Sequence, residues 1–202
     1  MKQVIRCNHA PTHLPAEGED RKSPVLLNPS TRKIYISGNI DQEVALDIVG
    51  EINTINSIDD TMEGMNDDYT RKPITLYINS PGGSVYDMMA IIGTIEESKT
   101  PIDTVCTGYA MSAAFIIFLA GRNRSATKWA SFMYHELYTC SMNKLTVIKE
   151  AVRESDRLQK EMDRYVITKT NIPQSKLDEV RSSKQDWFIS YNEACELGIV
   201  NT

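Results

Sequence analysis

From Ala110 to Ala120 the chain reads Ala-Met-Ser-Ala-Ala-Phe-Ile-Ile-Phe-Leu-Ala, a run whose composition suits a helix buried on every side rather than one with a wet face. It is too short to cross a bilayer, so it belongs inside a protein core. A chain of 202 residues with 41% hydrophobic content can bury one sizeable core and is short for two domains. The expectation is a single domain built in layers around this segment.

The flanking sequence alternates between two periods. Lys33 to Ser37 alternates as a strand, turns at Gly38-Asn39, and is followed by Val44, Ile48, Ile52 and Ile55 at helical spacing. Asp59 to Lys72 is polar and acidic without an apolar period, and reads as a solvated loop; its carboxylates do not follow the spacing of a calcium loop. A second strand, Ile74 to Ile78, ends in Asn-Ser-Pro-Gly-Gly-Ser84, and Val85, Met89, Ile92 and Ile95 then mark a helix that Ser84 would cap. A third strand, Asp103 to Thr107, leads through a glycine turn into the apolar run, and Ser131 to His135 supplies a fourth. Such repetition of strand, turn and helix implies an α/β layered fold.

Asn143 to Thr170 reads as one long helix with Leu145, Ile148, Val152, Leu158, Met162 and Val166 on one stripe. In so small a domain it is expected to project and to need a partner over that stripe, which points to self-assembly. Pro173 to Val180 forms a short helix, Trp187 to Ile189 a last strand-like piece, and Asn192 to Leu197 a turn closed by Gly198. Residues 1–30 hold four prolines and little periodicity and read as an N-terminal arm, leaving 31–202 as the domain. Cys7, His9 and His13 in that arm fit no closed zinc pattern, so no metal is expected.

A net charge of −5 without a Lys/Arg run gives no footprint for nucleic acid or anionic lipid. The absence of an apolar signal core before Pro29, and four scattered cysteines without Cys-x-x-Cys spacing, fit reduced thiols and a cytoplasmic protein that neither enters nor anchors in a membrane. Within this frame Ser112 stands out. It lies where a turn meets the buried helix, at an end carrying unpaired N–H donors and partial positive charge. There it is either a cap or a nucleophile. His135, the only histidine outside the arm, falls at a strand end and is a candidate base; Asp103, Glu136, Asp178 and Asp186 are all candidate partners for it.

Four motifs together resemble the ClpP family, the proteolytic subunits of Clp proteases: Leu76-Tyr-Ile-Asn-Ser-Pro-Gly-Gly83, Gly108-x-Ala-x-Ser112, Phe132-Met-Tyr-His135, and Asp186-x-Phe188 followed by Glu193-Ala194 and Leu197-Gly-Ile-Val200. Their order and spacing agree from Lys33 to Val200. The resemblance implies an α/β, ClpP/crotonase-like fold of repeated ββα units with a protruding long helix. It implies a serine endopeptidase with Ser112 as nucleophile, His135 as base, Asp186 as acid, and the amides of Gly83 and Ala113 as oxyanion hole. It further implies stacked rings, heptameric in the family, that take unfolded polypeptides from an AAA+ unfoldase of the Clp type. No Walker-type phosphate loop occurs in these 202 residues, so the chain itself is expected to need no cofactor, ATP being used only by the partner. The sequence departs from the pattern around the nucleophile (Tyr109-Ala-Met-Ser-Ala-Ala114), after the histidine (Glu136-Leu137), and in Tyr138 to Met142, which is short and lacks glycine. A crotonase-type acyl-CoA enzyme and a catalytically silent scaffold subunit are the alternative readings.

Overall fold

The computed structural model describes residues 25–28, 31–138 and 142–202. Cys7, His9, His13 and part of the Tyr138–Met142 segment therefore lie outside the described residues.

The described residues form a seven-stranded sheet with six helices. Strand β1 (Val25–Asn28) pairs antiparallel with β2 (Lys33–Ile40), which pairs parallel with β3 (Ile74–Gly83), and β3 pairs parallel with β4 (Ile102–Met111). The arm read from the prolines thus gives Val25–Asn28 to the sheet edge. The far edge of β4 is used twice. Its first half pairs with β5 (Arg124–Ala126), and its last residues pair with β6 (Ser131–Tyr134), in the register Met111 opposite Met133. Strand β7 (Trp187–Ser190) then closes that side, antiparallel to β6.

Alternation along β2 and β3 sends Ile34, Ile36, Leu76 and Ile78 into one core. Helix α1 (Gln42–Met65) covers it with the expected Val44, Ile48, Ile52 and Ile55. Helix α2 (Val85–Glu97) is capped by Ser84, whose Oγ accepts from the Asp87 amide at 3.4 Å. Its buried residues are Met88, Ile91 and Ile95; of the expected stripe Ile95 is buried, Val85 and Ile92 pack half-buried against the core, and Met89 is exposed. The broader apolar face has a structural cause: α2 packs between α1 and helix α3 (Ala113–Ala120), so apolar residues are wanted on more than one face. All eight residues of α3 are buried, against β3, β4 and β6 on one side and α2 and α4 on the other.

The polar stretch after Ile55 is not a loop at its start. Helix α1 continues to Met65 because the next core-facing position, Asp59, is buried and paired. Its carboxylate accepts from both Arg32 Nη atoms, from Tyr69 Oη at 2.5 Å and from Thr100 Oγ1 at 2.5 Å. Burial by itself raises the Asp59 pKa, but the hydrogen bonds from Arg32, Thr100 and Tyr69 outweigh it and hold the group below the ordinary carboxylate value. A charge in a core-facing position hides the helical period from hydropathy.

Helix α4 (Leu145–Lys169) follows the protruding geometry. Its fully buried residues, Leu158, Gln159, Asp163 and Val166, all belong to its second half, while Leu145 and Val152 in the first half are exposed. The docked end is anchored by Arg124, a buried guanidinium that donates to the carbonyls of Lys169, Gly198 and Ile199 at 2.8–2.9 Å. These carbonyls tie the end of α4 to the C-terminal tail, beyond α5 (Gln174–Ser183) and α6 (Tyr191–Glu196).

Replacing Asp59 by leucine leaves the Arg32 guanidinium without its charge partner, and urea titration at pH 7 is expected to show a loss of roughly 3–5 kcal/mol. Since the folded pKa of Asp59 lies below its unfolded value, its contribution is present above about pH 4 and is lost as the pH falls below it. The Asp59→Asn protein should therefore show a shallower loss of stability on acidification than the unsubstituted chain.

Candidate active site

The site is assembled at the C-terminal end of β4. This strand runs through Gly108, read above as the turn, to Met111, and α3 starts at Ala113, so Ser112 alone makes the connection. Its backbone takes φ 54° and ψ −124°, a left-sided conformation unusual for a residue with a Cβ. Such a sharp strand-to-helix turn pushes the side chain out above the sheet. The Ser112 amide donates to Met133 O at 2.9 Å, which closes the β4–β6 pairing at its last position. His135 follows two residues after Met133.

The two side chains meet. Ser112 Oγ lies 2.8 Å from His135 Nε2. Ser112 makes no side-chain cap bond to α3, so the capping role that a serine at this position would ordinarily play is not the one it has. On the other side of the imidazole, Nδ1 is 2.5 Å from the Glu136 carbonyl oxygen. A carbonyl can only accept, so Nδ1 carries the proton and Nε2 presents its lone pair to the Ser112 hydroxyl. The tautomer is the one a general base needs.

Aromatic packing fixes the relative position of these elements. Phe115 and Phe118 of α3 contact the Phe132 ring at centroid distances of 6.3 and 5.0 Å, and Phe115 meets Tyr134 edge-on at 6.1 Å. All four rings are buried. Beneath the His135 turn, Tyr134 Oη donates to Asp163, and Gln159 Nε2 donates to Tyr134 Oη and to Asp163 Oδ1 at 2.8 Å each. Burial, reinforced by the Asp163 carboxylate, raises the Tyr134 pKa and keeps the phenol protonated.

The second half of the site is the Pro81-Gly82-Gly83 segment ending β3. Gly82, at φ 101°, lies against Ser112: a Cβ there would come within 2.8 Å of Ser112 Cβ and 2.9 Å of the Ala113 nitrogen. Gly83, at φ 154°, has room for none, since a Cβ would stand 2.1 Å from Ile40 O. Buried Ser80 holds the segment by donating to Gly38 O at 2.6 Å and accepting from the Gly82 amide at 3.1 Å. Gly83 and Ala113 thereby share with Ser112 and His135 the wall of one cleft of about 500 Å³, completed largely by apolar side chains of which Val85, Met88, Ile116 and Met162 are four. The Ala113 amide is the first of α3 and has no intrahelical acceptor.

Asp186 is not in this contact set. It is exposed, and among the described residues it makes no hydrogen bond or ion pair; in place of the expected bond to Asp186, His135 Nδ1 is engaged by the Glu136 carbonyl. It does share with His135 an adjoining cavity of about 240 Å³, also lined by Lys184 and Gln185. Of the other candidate acids, Glu136 lines the same cavity, while Asp103 pairs with Arg122 and Asp178 accepts from Gln174 on the surface of α5. Gln159 and Asp163 were not singled out in the sequence, where they pass for polar residues on the outer face of a long helix. Cys106 is fully buried, which pushes its thiol up to about 12 and removes it as a nucleophile. Among the described residues no group of three His, Cys, Asp or Glu side chains could hold a metal ion, and no helix is long and apolar enough to cross a membrane.

Comparison with known proteins gives a consistent result. The family model described as Clp protease matches residues 24–202. Among solved structures, a point mutant of ClpP1 from Listeria monocytogenes superposes with a TM-score of 0.72 at 28% sequence identity, covering 86% of this chain and 91% of that one.

Gly82 can be tested directly. A methyl group there displaces Ser112 or the Ala113 amide; if that amide is the oxyanion donor the resemblance implies, whose loss typically costs about 10²–10³ in turnover, Gly82→Ala is expected to slow reaction with a fluorophosphonate by at least tenfold while circular dichroism remains that of the folded protein.

Proposed function

Since the chain belongs to the Clp protease family, we propose that it is a serine endopeptidase in which Ser112 is the nucleophile and His135 its base. The observation that carries this reading is the 2.8 Å contact between Ser112 Oγ and His135 Nε2, made with the imidazole in the accepting tautomer. Ser112 Oγ attacks the peptide carbonyl carbon while its proton passes to Nε2, and the electron pair of the C=O bond moves to oxygen. The amides of Gly83 and Ala113 receive that oxyanion. Collapse breaks the C–N bond, and the proton on Nε2 leaves with the amine. Water then repeats the sequence on the acyl-serine ester and frees the acid.

Asp186 is the proposed acid. Its place in the cavity next to His135 lets a carboxylate favour the imidazolium as it forms, and among the described residues no other acid lines that wall apart from Glu136. The substrate is an extended, unfolded polypeptide laid in the largely apolar cleft at Ser112. The exposed apolar residues on the first half of α4 support self-assembly into rings, heptameric and stacked if the family pattern holds. A Clp-type AAA+ unfoldase would then feed the chamber and spend the ATP, in a cytoplasmic setting. The acyl-CoA alternative loses ground to the family match and to a serine–histidine pair it has no use for.

A fluorophosphonate probe followed by peptide mapping tests the nucleophile. The adduct is expected on Ser112, and Ser112→Ala should abolish both labelling and peptidase activity without loss of stability. A label on another serine rejects the reading, and no label at all favours the silent scaffold. Asp186→Asn should lower kcat with little change in KM.

Assembly is a separate prediction. Light scattering should report a ring-sized particle that cleaves short peptides alone and degrades a folded protein only with an ATP-driven unfoldase; a monomer that digests folded protein unaided would reject the chamber.

A further inference from the structure

The histidine is oriented by a single peptide group. The carbonyl of Glu136 accepts from His135 Nδ1 at 2.5 Å, and the N–H of the same peptide unit, that of Leu137, donates to Gln159 Oε1 at 2.7 Å. Rotating this peptide plane would break both bonds together. Gln159 is itself immobilised. It is 6% exposed, its Nε2 donates to Tyr134 Oη and Asp163 Oδ1 at 2.8 Å each, and Arg181 of α5 donates to the other oxygen of Asp163, which is 3% exposed. With both ends bonded and its amide buried, Gln159 cannot exchange its Oε1 and Nε2 without setting an oxygen against the Asp163 carboxylate.

We propose that Gln159 is a positioning residue for the serine–histidine pair: held by Asp163 and Tyr134, it pins the Glu136–Leu137 peptide so that its carbonyl fixes the Nδ1–H tautomer of His135. This rests on the assignment of Ser112 and His135 as nucleophile and base, and it adds to that assignment a source of orientation other than a carboxylate. The imidazole is set for base catalysis by the main chain, and the setting is transmitted from the docked half of α4. Asp186 retains the task of stabilising positive charge after proton transfer, which a neutral carbonyl performs less well.

Two substitutions separate positioning from packing. Gln159→Met keeps the side chain's length and approximate volume but has no acceptor for the Leu137 amide. Gln159→Glu, made together with Asp163→Asn so that the donor and acceptor across that bond are exchanged and no two carboxylates face each other, keeps an acceptor oxygen there. The rate of fluorophosphonate labelling of Ser112 is expected to fall about tenfold to a hundredfold in the methionine variant, through kcat rather than KM when a peptide is used, and to be substantially recovered in the glutamate variant. Equal losses in the two, tracking their Tm values, would mean a purely structural role and would overturn the proposal.

A second readout is independent of turnover. In the Ser112→Ala background, at a pH where the imidazole is neutral, the ring ¹⁵N shifts of His135 should report Nδ1–H as the dominant tautomer with glutamine at 159 and a mixture with methionine. An unchanged tautomer population in the methionine variant overturns the proposal. If methionine at 159 prevents folding, Tyr134→Phe, which removes one of the two acceptors of Gln159 Nε2, should shift the tautomer in the same direction by a smaller amount, and no shift there would overturn it. Failure of the unsubstituted protein to label would count against Ser112 as nucleophile, while the ring shifts would still decide the role of Gln159.

Discussion

The bond from the Ser112 amide to the Met133 carbonyl, 2.9 Å long, sets the geometry on which the rest depends. It closes the parallel pairing of β4 with β6 at the point where one strand turns sharply into a buried helix and the other runs two residues further to His135. Moving β6 by one residue would turn His135 to the opposite face of the sheet. The register is protected from such a slip because Phe132 and Tyr134 fill the core against Phe115 and Phe118, where neither Met133 nor His135 could take their place.

Burial of α3 makes this turn possible. A helix with all eight residues inside the core cannot shift along its axis without opening cavities, and its rigidity holds Ser112 at a positive φ that no isolated serine would favour. Backbone strain at Ser112 is thus supported by apolar packing a few residues away. On the facing side, β3 contributes a segment in which two successive residues lack a Cβ, and the resulting close approach to Ser112 and Ile40 defines the wall where negative charge would be received.

Charged and polar groups inside this fold serve as joints between elements. Asp59 ties α1 to Arg32 and Thr100; Arg124 gathers the carbonyls ending α4 and the tail; Asp163 joins β6, α4 and α5 through Tyr134, Gln159 and Arg181. Each is nearly free of solvent and each has its partners, so none carries the cost of an isolated buried charge. All three lie where chain segments distant in sequence meet. The first half of α4 is held by no buried charge of this kind among the described residues and leaves Leu145, Val147 and Val152 exposed.

The sequence by itself determined the elements whose residues repeat at a single period facing a single core. The strands around Ile34, Leu76 and Phe132, the first part of α1, the cap at Ser84 and the buried run after Ser112 were all legible, because apolar period and turn chemistry are local properties. Ser112 and His135 stood out by position, and motif resemblance gave them roles beside Asp186, Gly83 and Ala113; the family match over 24–202 agrees with the resemblance to the family. Tertiary structure alone decided what depends on a partner from another part of the chain. The extension of α1 through Asp59 was invisible because a buried ion pair reads as a polar loop, and β1 because four residues before a proline carry too little pattern. The burial of Met88 and Ile91 on α2 went unread because a helix covered on two sides has no single apolar face. So too with the orientation of His135: sequence could name four acids for it, but the Glu136 carbonyl reaches Nδ1 only through the local turn of the backbone, and a main-chain acceptor has no signature in the identity of a residue.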